Sequence, residues 1–95
     1  MKLREHPGIS NWPPSWLATS GSHDGKGPDP SATLRNVALS RVDPVTICYI
    51  TVQDRDESYM GTVTFKDSVL CQCIYGLLNA RIGSSLKDIE DLELP

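Results

Sequence analysis

The stretch VTICYITV at residues 45–52 decides the fold. β-Branched and aromatic residues dominate it, and such residues favour extended strands. Successive side chains of a strand point to opposite faces, and both faces are apolar here: Cys48, Ile50 and Val52 on one, and Val45, Ile47 and Tyr49 on the other. Strands that are apolar on both sides are typical of the centre of a sheet. We therefore predict a central strand whose two faces both need cover.

The stretch before it, Thr33–Val42, predicts a first neighbouring strand. It alternates apolar and polar residues except at Leu34, which is out of phase with Val37 and Leu39. A bulge near Asn36 would insert one residue and restore the alternation.

The stretch after the polar loop 53–58 predicts a second neighbouring strand, at residues 59–65, with Tyr59, Val63 and Phe65 on one face. Short polar loops between successive strands are typical of antiparallel hairpins. We therefore expect a three-stranded antiparallel sheet.

Residues 69–82 change from a period of two to a helical period. Four apolar residues fall on one stripe of this helix: Leu70, Ile74, Leu77 and Leu78. Asp67 is the expected N-cap and Gly83 the expected residue just beyond the end, followed by a short helical turn at 84–89. The fold class is therefore α+β: a three-stranded antiparallel sheet, one main helix packed on one face, and an irregular N-terminal segment.

A chain of 95 residues has room for a single domain, 1–95. Its prolines and glycines concentrate in the first third, where no periodicity is sustained. We expect an ordered N-terminal segment at 1–17, a flexible loop at 18–31, and a β-β-β-α core with a short C-terminal helical turn at 32–95.

The most specific local feature is WPPSW at residues 12–16. Tryptophan is enriched at binding hot spots, and prolines reduce the entropy that a segment loses on docking. Two interpretations stay open: an intramolecular lid over the second sheet face, with Ile47 and Tyr49, or a partner-binding site. The candidate binding residues are Trp12, Pro13, Pro14, Trp16 and Tyr49.

Charge and composition exclude several classes of function. The net charge of −3 comes entirely from residues 67–95, with two basic and five acidic residues, and no basic stripe predicts a nucleic-acid partner. The longest apolar run, 45–52, is too short to cross a bilayer, which takes about 20 residues, so we expect no membrane partner. Three cysteines without an apolar leader argue against a disulfide framework, and we expect a cytoplasmic protein.

No catalytic, metal-binding or cofactor signature is found in the sequence. Cys71 and Cys73 lie about 200° apart on a helix, so they cannot chelate one ion together, and we expect both to flank the helix–sheet interface. His6 and His23 have no second ligand nearby in the sequence. We therefore predict no catalytic residue, no metal and no cofactor.

The chain resembles small uncharacterised bacterial proteins that share several of its motifs. These motifs are the WPPxW start at 12–16, Tyr59-x-Gly61, Phe65-x-Asp67, Leu77-Leu78, and Ile82-Gly83-x-Ser85 with Ile89. The resemblance covers most of the chain outside residues 18–31. It implies no activity, cofactor or partner, because that group has no assigned function.

Two hypotheses on function stay open. The first is a non-enzymatic interaction module that binds a protein partner or forms a homodimer, through the tryptophan segment and the sheet edge. The second is a small enzyme or thiol-dependent protein that uses Cys48, Cys71 or Cys73. The first is favoured, because no base is placed beside any of the three thiols to activate it.

Overall fold

The computed structural model describes residues 5–12, 28–90 and 92–93. Three candidate binding residues, Pro13, Pro14 and Trp16, lie outside the described residues, as does most of the expected loop at 18–31. Trp12 and Tyr49 lie within them.

The strands form one antiparallel sheet. They are β1 (Ile9–Ser10), β2 (Thr33–Val42), β3 (Val45–Asp54) and β4 (Glu57–Phe65), and they lie in the order β1-β4-β3-β2. The predicted three-stranded sheet is wrong, because β1 adds a fourth strand by pairing with the end of β4. An element of two residues has no periodicity, so the sequence pattern did not predict it.

The pairing of β2 with β3 contains the predicted irregularity. The two strands pair along their whole length with one register shift, between Leu34 and Asn36. The bulge predicted near Asn36 is therefore confirmed. It places Leu34 and Val37 on the same face of the sheet, where both side chains are buried.

Two helices follow the sheet, α1 at Ser68–Asn79 and α2 at Leu86–Glu90. Asp67 caps α1 as predicted, because its Oδ1 accepts hydrogen bonds from the backbone N–H groups of Val69 and Leu70 at 2.8 and 3.1 Å. The short helical turn predicted at 84–89 is confirmed as α2.

The connection between the helices ties them to the edge of β2. The Gly83 N–H donates to the Leu34 carbonyl at 2.8 Å, and the Leu34 N–H donates to the Ser84 carbonyl at 2.9 Å. Gly83 has a φ of 98°, which a glycine adopts without strain. These bonds fix the turn after α1, so the helix ends at Asn79 rather than at the predicted residue 82.

The hydrophobic core lies between the helices and one face of the sheet, which we call the inner face. The sheet contributes Leu34, Val37, Cys48, Ile50, Val52, Val63 and Phe65, and the helices contribute Leu70, Cys71, Ile74, Leu78, Leu86 and Ile89. Helix–sheet packing therefore covers one side of the sheet, as expected for an α+β fold.

Candidate functional site

The side of the sheet opposite the helices, which we call the outer face, is the candidate site. Its residues alternate with the buried ones: Thr33, Asn36, Ala38, Ser40 and Val42 on β2; Val45, Ile47, Tyr49, Thr51 and Gln53 on β3; Ser58, Met60, Thr62 and Thr64 on β4. On β3 the contrast is sharp, because Cys48, Ile50 and Val52 are fully buried while Ile47 and Tyr49 between them are only half-buried.

The paired positions of the outer face carry no charge. None of the residues that the register assigns to it is acidic or basic, although 22% of the chain is charged. Arg41, Asp54 and Glu57 are in phase with the inner-face positions instead. Arg35 is exposed at the bulge, beside the outer-face residue Asn36. The paired part of this face therefore presents hydroxyl, amide and apolar side chains, with one basic residue at the bulge.

Two of these side chains are large, apolar and exposed. Met60 is 61% exposed and Val42 is 50% exposed. Between them, Val45, Ile47 and Tyr49 form a half-buried row along the interior strand β3. Such a contiguous apolar patch is a feature that marks an interaction site in soluble proteins.

Tyr49 occupies the middle of the outer face. It pairs with Ala38 on β2 and with Thr62 on β4, and both of these neighbours are small. Its ring therefore has no bulky side chain directly beside it on either strand. Tyrosine is one of the residues enriched at binding hot spots, which cluster near the centre of an interface.

No element of the described residues covers the outer face. Both helices place their buried side chains in the inner-face core. Apart from α1 and α2, the ranges 5–12, 28–90 and 92–93 contain no α-helix. The face predicted from Ile47 and Tyr49 therefore lacks a covering layer in the described part of the chain.

Trp12 lies in the inner-face core. Its side chain is 7% exposed and belongs to the same buried cluster as Ile50 and Phe65. Asn11, with a φ of 69°, turns the chain after β1, a conformation that asparagine tolerates better than most residues. Tyr49, the other described candidate, lies on the opposite side of the sheet, so the structure does not bring these two residues together.

The site contains exposed residues that the sequence pattern did not single out, Val42 and Met60. Both are on the face that the alternation of 45–52 predicted to need cover. The sequence pattern did not indicate Met60, because the apolar residues that define this strand, such as Tyr59, lie on the inner face. The pairing of Met60 with Thr51 shows that Met60 lies near Tyr49 on the outer face.

The three thiols occupy different environments. Cys48 and Cys71 are buried, whereas Cys73 is exposed, so the expectation that both helical cysteines flank the core is wrong for Cys73. Burial raises the pKa of the Cys48 thiol to about 12, with a smaller contribution from Cys71. Burial also raises the pKa of Cys71, and Arg41 offsets part of that effect. Raised pKa values leave little of the reactive thiolate at neutral pH.

We expect the folded protein to react with a thiol reagent at one position only. Cys73 should be labelled quickly, whereas Cys48 and Cys71 should react only after unfolding, because burial blocks access and suppresses the thiolate. Counting labelled thiols with and without denaturant measures this. A Cys73→Ser variant is the control and should show no fast phase. Fast labelling of Cys48 or Cys71 in that variant would contradict the prediction.

Within 5–12, 28–90 and 92–93, no group of three or more histidine, cysteine or acidic side chains is placed to hold a metal ion. No helix in the described part of the chain is long and apolar enough to cross a membrane.

The chain was also compared with known proteins. No protein-family model, curated protein or solved structure matches it. The resemblance to small bacterial proteins through the WPPxW start therefore stays a prediction. Function has to be argued from the outer face itself.

Proposed function

We propose that this chain is a non-enzymatic interaction module that binds a protein through the outer face of its sheet. The observation that carries this proposal is the exposure of Met60 and Val42 beside the half-buried Ile47 and Tyr49, on a face whose paired positions carry no charge. A cytoplasmic setting is part of the proposal, since all three cysteines are free thiols.

The physical reason is the cost of leaving this face in water. Removing apolar surface from water stabilises a complex by about 25 cal/mol for each Å² buried. Serine and threonine hydroxyls around the apolar row keep the face soluble, and they can hydrogen-bond to a partner or to bridging water. The arrangement has an apolar centre and a polar surround, which resembles the anatomy of protein interfaces.

The thiol-dependent alternative has less support. Cys48 and Cys71 are buried with raised pKa values, which disfavours them as nucleophiles. Cys73 is exposed on α1, and the described residues include no cluster of titratable groups around it that could hold a metal. An interaction role through the outer face needs no reactive group.

Site-directed photo-crosslinking in the source cells tests the proposal. A benzoylphenylalanine placed at Tyr49 preserves an aromatic ring at the centre of the outer face. The same group placed at Gln72, which is exposed on α1, is the matched control. We expect ultraviolet light to join position 49, and not position 72, to a second protein chain.

Two results would count against the proposal. One is an absence of crosslinks from position 49 when circular dichroism shows that the substituted protein is folded. The other is equal crosslinking from both positions, because that would indicate random encounters rather than a docking face.

A further inference from the structure

We infer that the partner bound by the outer face is a second copy of this chain, packed face to face to form a symmetric homodimer. The inference rests on the proposed function and goes further by naming the occupant. Its four supports are the charge distribution, the dimensions of the face, the position of Tyr49 and the state of the sheet edges.

The charge distribution favours a second copy. Each chain carries a net charge of −3, and this excess lies in residues 67–95, which include both helices. The helices lie on the inner side, so stacking through the outer face brings together two surfaces whose paired positions carry no charge. Sheets packed about 10 Å apart would keep the acidic helix layers on the outside. The two layers would then be separated by more than the Debye length of about 8 Å at physiological salt.

The absence of charge also bears on specificity. Interfaces between different proteins commonly use complementary charge to select the right partner and exclude others. The outer face carries no charged residue in its register and offers no such selection. In a two-fold dimer the same patch meets itself, so the uncharged residues near the axis meet their own copies without charge repulsion.

The dimensions of the face suit a small dimer interface. β2, β3 and β4 have 10, 10 and 9 residues. With a rise of about 3.3 Å per residue and a strand spacing of about 4.8 Å, they make a surface roughly 30 Å by 14 Å. A stack of two such faces would bury roughly 1,000 Å² in total, which is the size of a weak, reversible interface.

The central position of Tyr49 suits a symmetric contact. A two-fold axis through the middle of a stacked pair places residues at the centre of the face opposite their own counterparts. Tyr49 lies there, between Ala38 and Thr62. The small neighbours leave room for the two rings to pack in an offset arrangement.

The sheet edges are less suited to self-association. The first part of the β2 edge is occupied by its hydrogen bonds to Gly83 and Ser84. The end of the β4 edge is occupied by β1. Edge-to-edge pairing would also place the acidic helix layers side by side, whereas face-to-face stacking separates them.

Sedimentation of the purified full chain tests the inference. We expect a monomer–dimer equilibrium between about 1 μM and 1 mM, the range in which small interfaces dissociate. Tyr49→Glu and Met60→Glu should each raise the dimer dissociation constant roughly a hundredfold, because each places like charges in a desolvated contact. Met60 is 61% exposed, so the folded monomer has room for the glutamate.

Val69→Glu is the matched control. Val69 is 72% exposed on the helix side, so the same change from apolar to acidic lies on the opposite layer. The dimer dissociation constant of Val69→Glu should stay within about threefold of that of the unmodified protein, because salt screens a charge that lies outside the contact. Circular dichroism of all three variants separates lost association from lost folding.

The outcomes separate this inference from the function it rests on. A chain that is monomeric throughout, or a dimer that is unaffected by both outer-face variants, overturns the inference. If the chain is monomeric and position 49 crosslinks to a different protein, the interaction function stands and the homodimer fails. If position 49 crosslinks only within its own chain, for example to residues 13–27, both fail.

Discussion

Replacing Trp12 with alanine should lower the free energy of unfolding by about 3–5 kcal/mol, the usual cost of removing a buried aromatic side chain. Trp12 is 7% exposed and belongs to the inner-face core. Removing it leaves a cavity that the sheet and the helices can fill only in part. Because a domain of this size is stabilised by about 5–14 kcal/mol, the variant should lose a large fraction of its stability.

Urea denaturation monitored by circular dichroism measures this loss. The control is Trp12→Phe, which keeps an aromatic ring in the core and should lose clearly less stability. A Trp16→Phe variant leaves Trp12 as the only tryptophan, and its emission should be blue-shifted and weakly quenched by acrylamide. If Trp12→Ala leaves the denaturation midpoint unchanged, Trp12 does not hold the N-terminal segment to the core.

The Trp12 prediction depends on how β1 is attached. Ile9 pairs with Phe65, and the Lys66 N–H donates to the Gly8 carbonyl at 2.9 Å. These bonds involve only a few residues, so they add little stability without the packing of the apolar side chains beside them. Burial of Ile9 and Trp12 therefore contributes most of what keeps this segment on the edge of β4.

The parts of the fold that the sequence predicted are those with a repeated pattern. The apolar residues on both faces of 45–52 predicted β3 as a central strand, and it is an interior strand of the sheet. The phase error at Leu34 predicted the bulge, since one inserted residue moves every later side chain to the other face. The Asp67 cap was predicted because its carboxylate can accept from N–H groups that the first turn leaves unpaired.

The parts that the sequence did not predict depend on contacts between distant residues. β1 is a strand only because residues 64 and 65 lie beside it. The end of α1 was placed too late because Gly83 is held by Leu34, which is far away in the sequence. The side of the sheet on which Trp12 packs depends on how the chain turns at Asn11, and local pattern does not encode that turn.

The candidate site was also predicted only in part, because a local pattern assigns residues to a face but does not show what packs against that face. Periodicity assigned Tyr49 and Ile47 to a face that needed cover, and both are half-buried there. The sequence left open what covers this face. Trp12 is not available for that role, because it packs among the inner-face residues. In the function that we propose, a second molecule covers this face.

Ile50→Ala and Tyr49→Ala together test whether the two faces of β3 differ in function. These neighbours share one strand and one backbone environment but point to opposite sides. Ile50 is fully buried, so its truncation should cost about 2–5 kcal/mol through lost burial and a residual cavity. Tyr49 is half-buried, so its truncation should cost the monomer about 1 kcal/mol, since only part of its area leaves water on folding.

The concentration dependence of the melting temperature separates these two effects. Association stabilises the folded state by mass action, so the melting temperature of a dimer rises with protein concentration. Ile50→Ala should lower the melting temperature at every protein concentration. The melting temperature should still rise with concentration, because the Ile50 side chain is absent from the outer face. Tyr49→Ala should lose the dependence, and at low concentration it should melt below the unmodified protein only by the few degrees that a monomer loss of about 1 kcal/mol produces. If both variants keep the same dependence, the outer face is not the surface through which this chain associates.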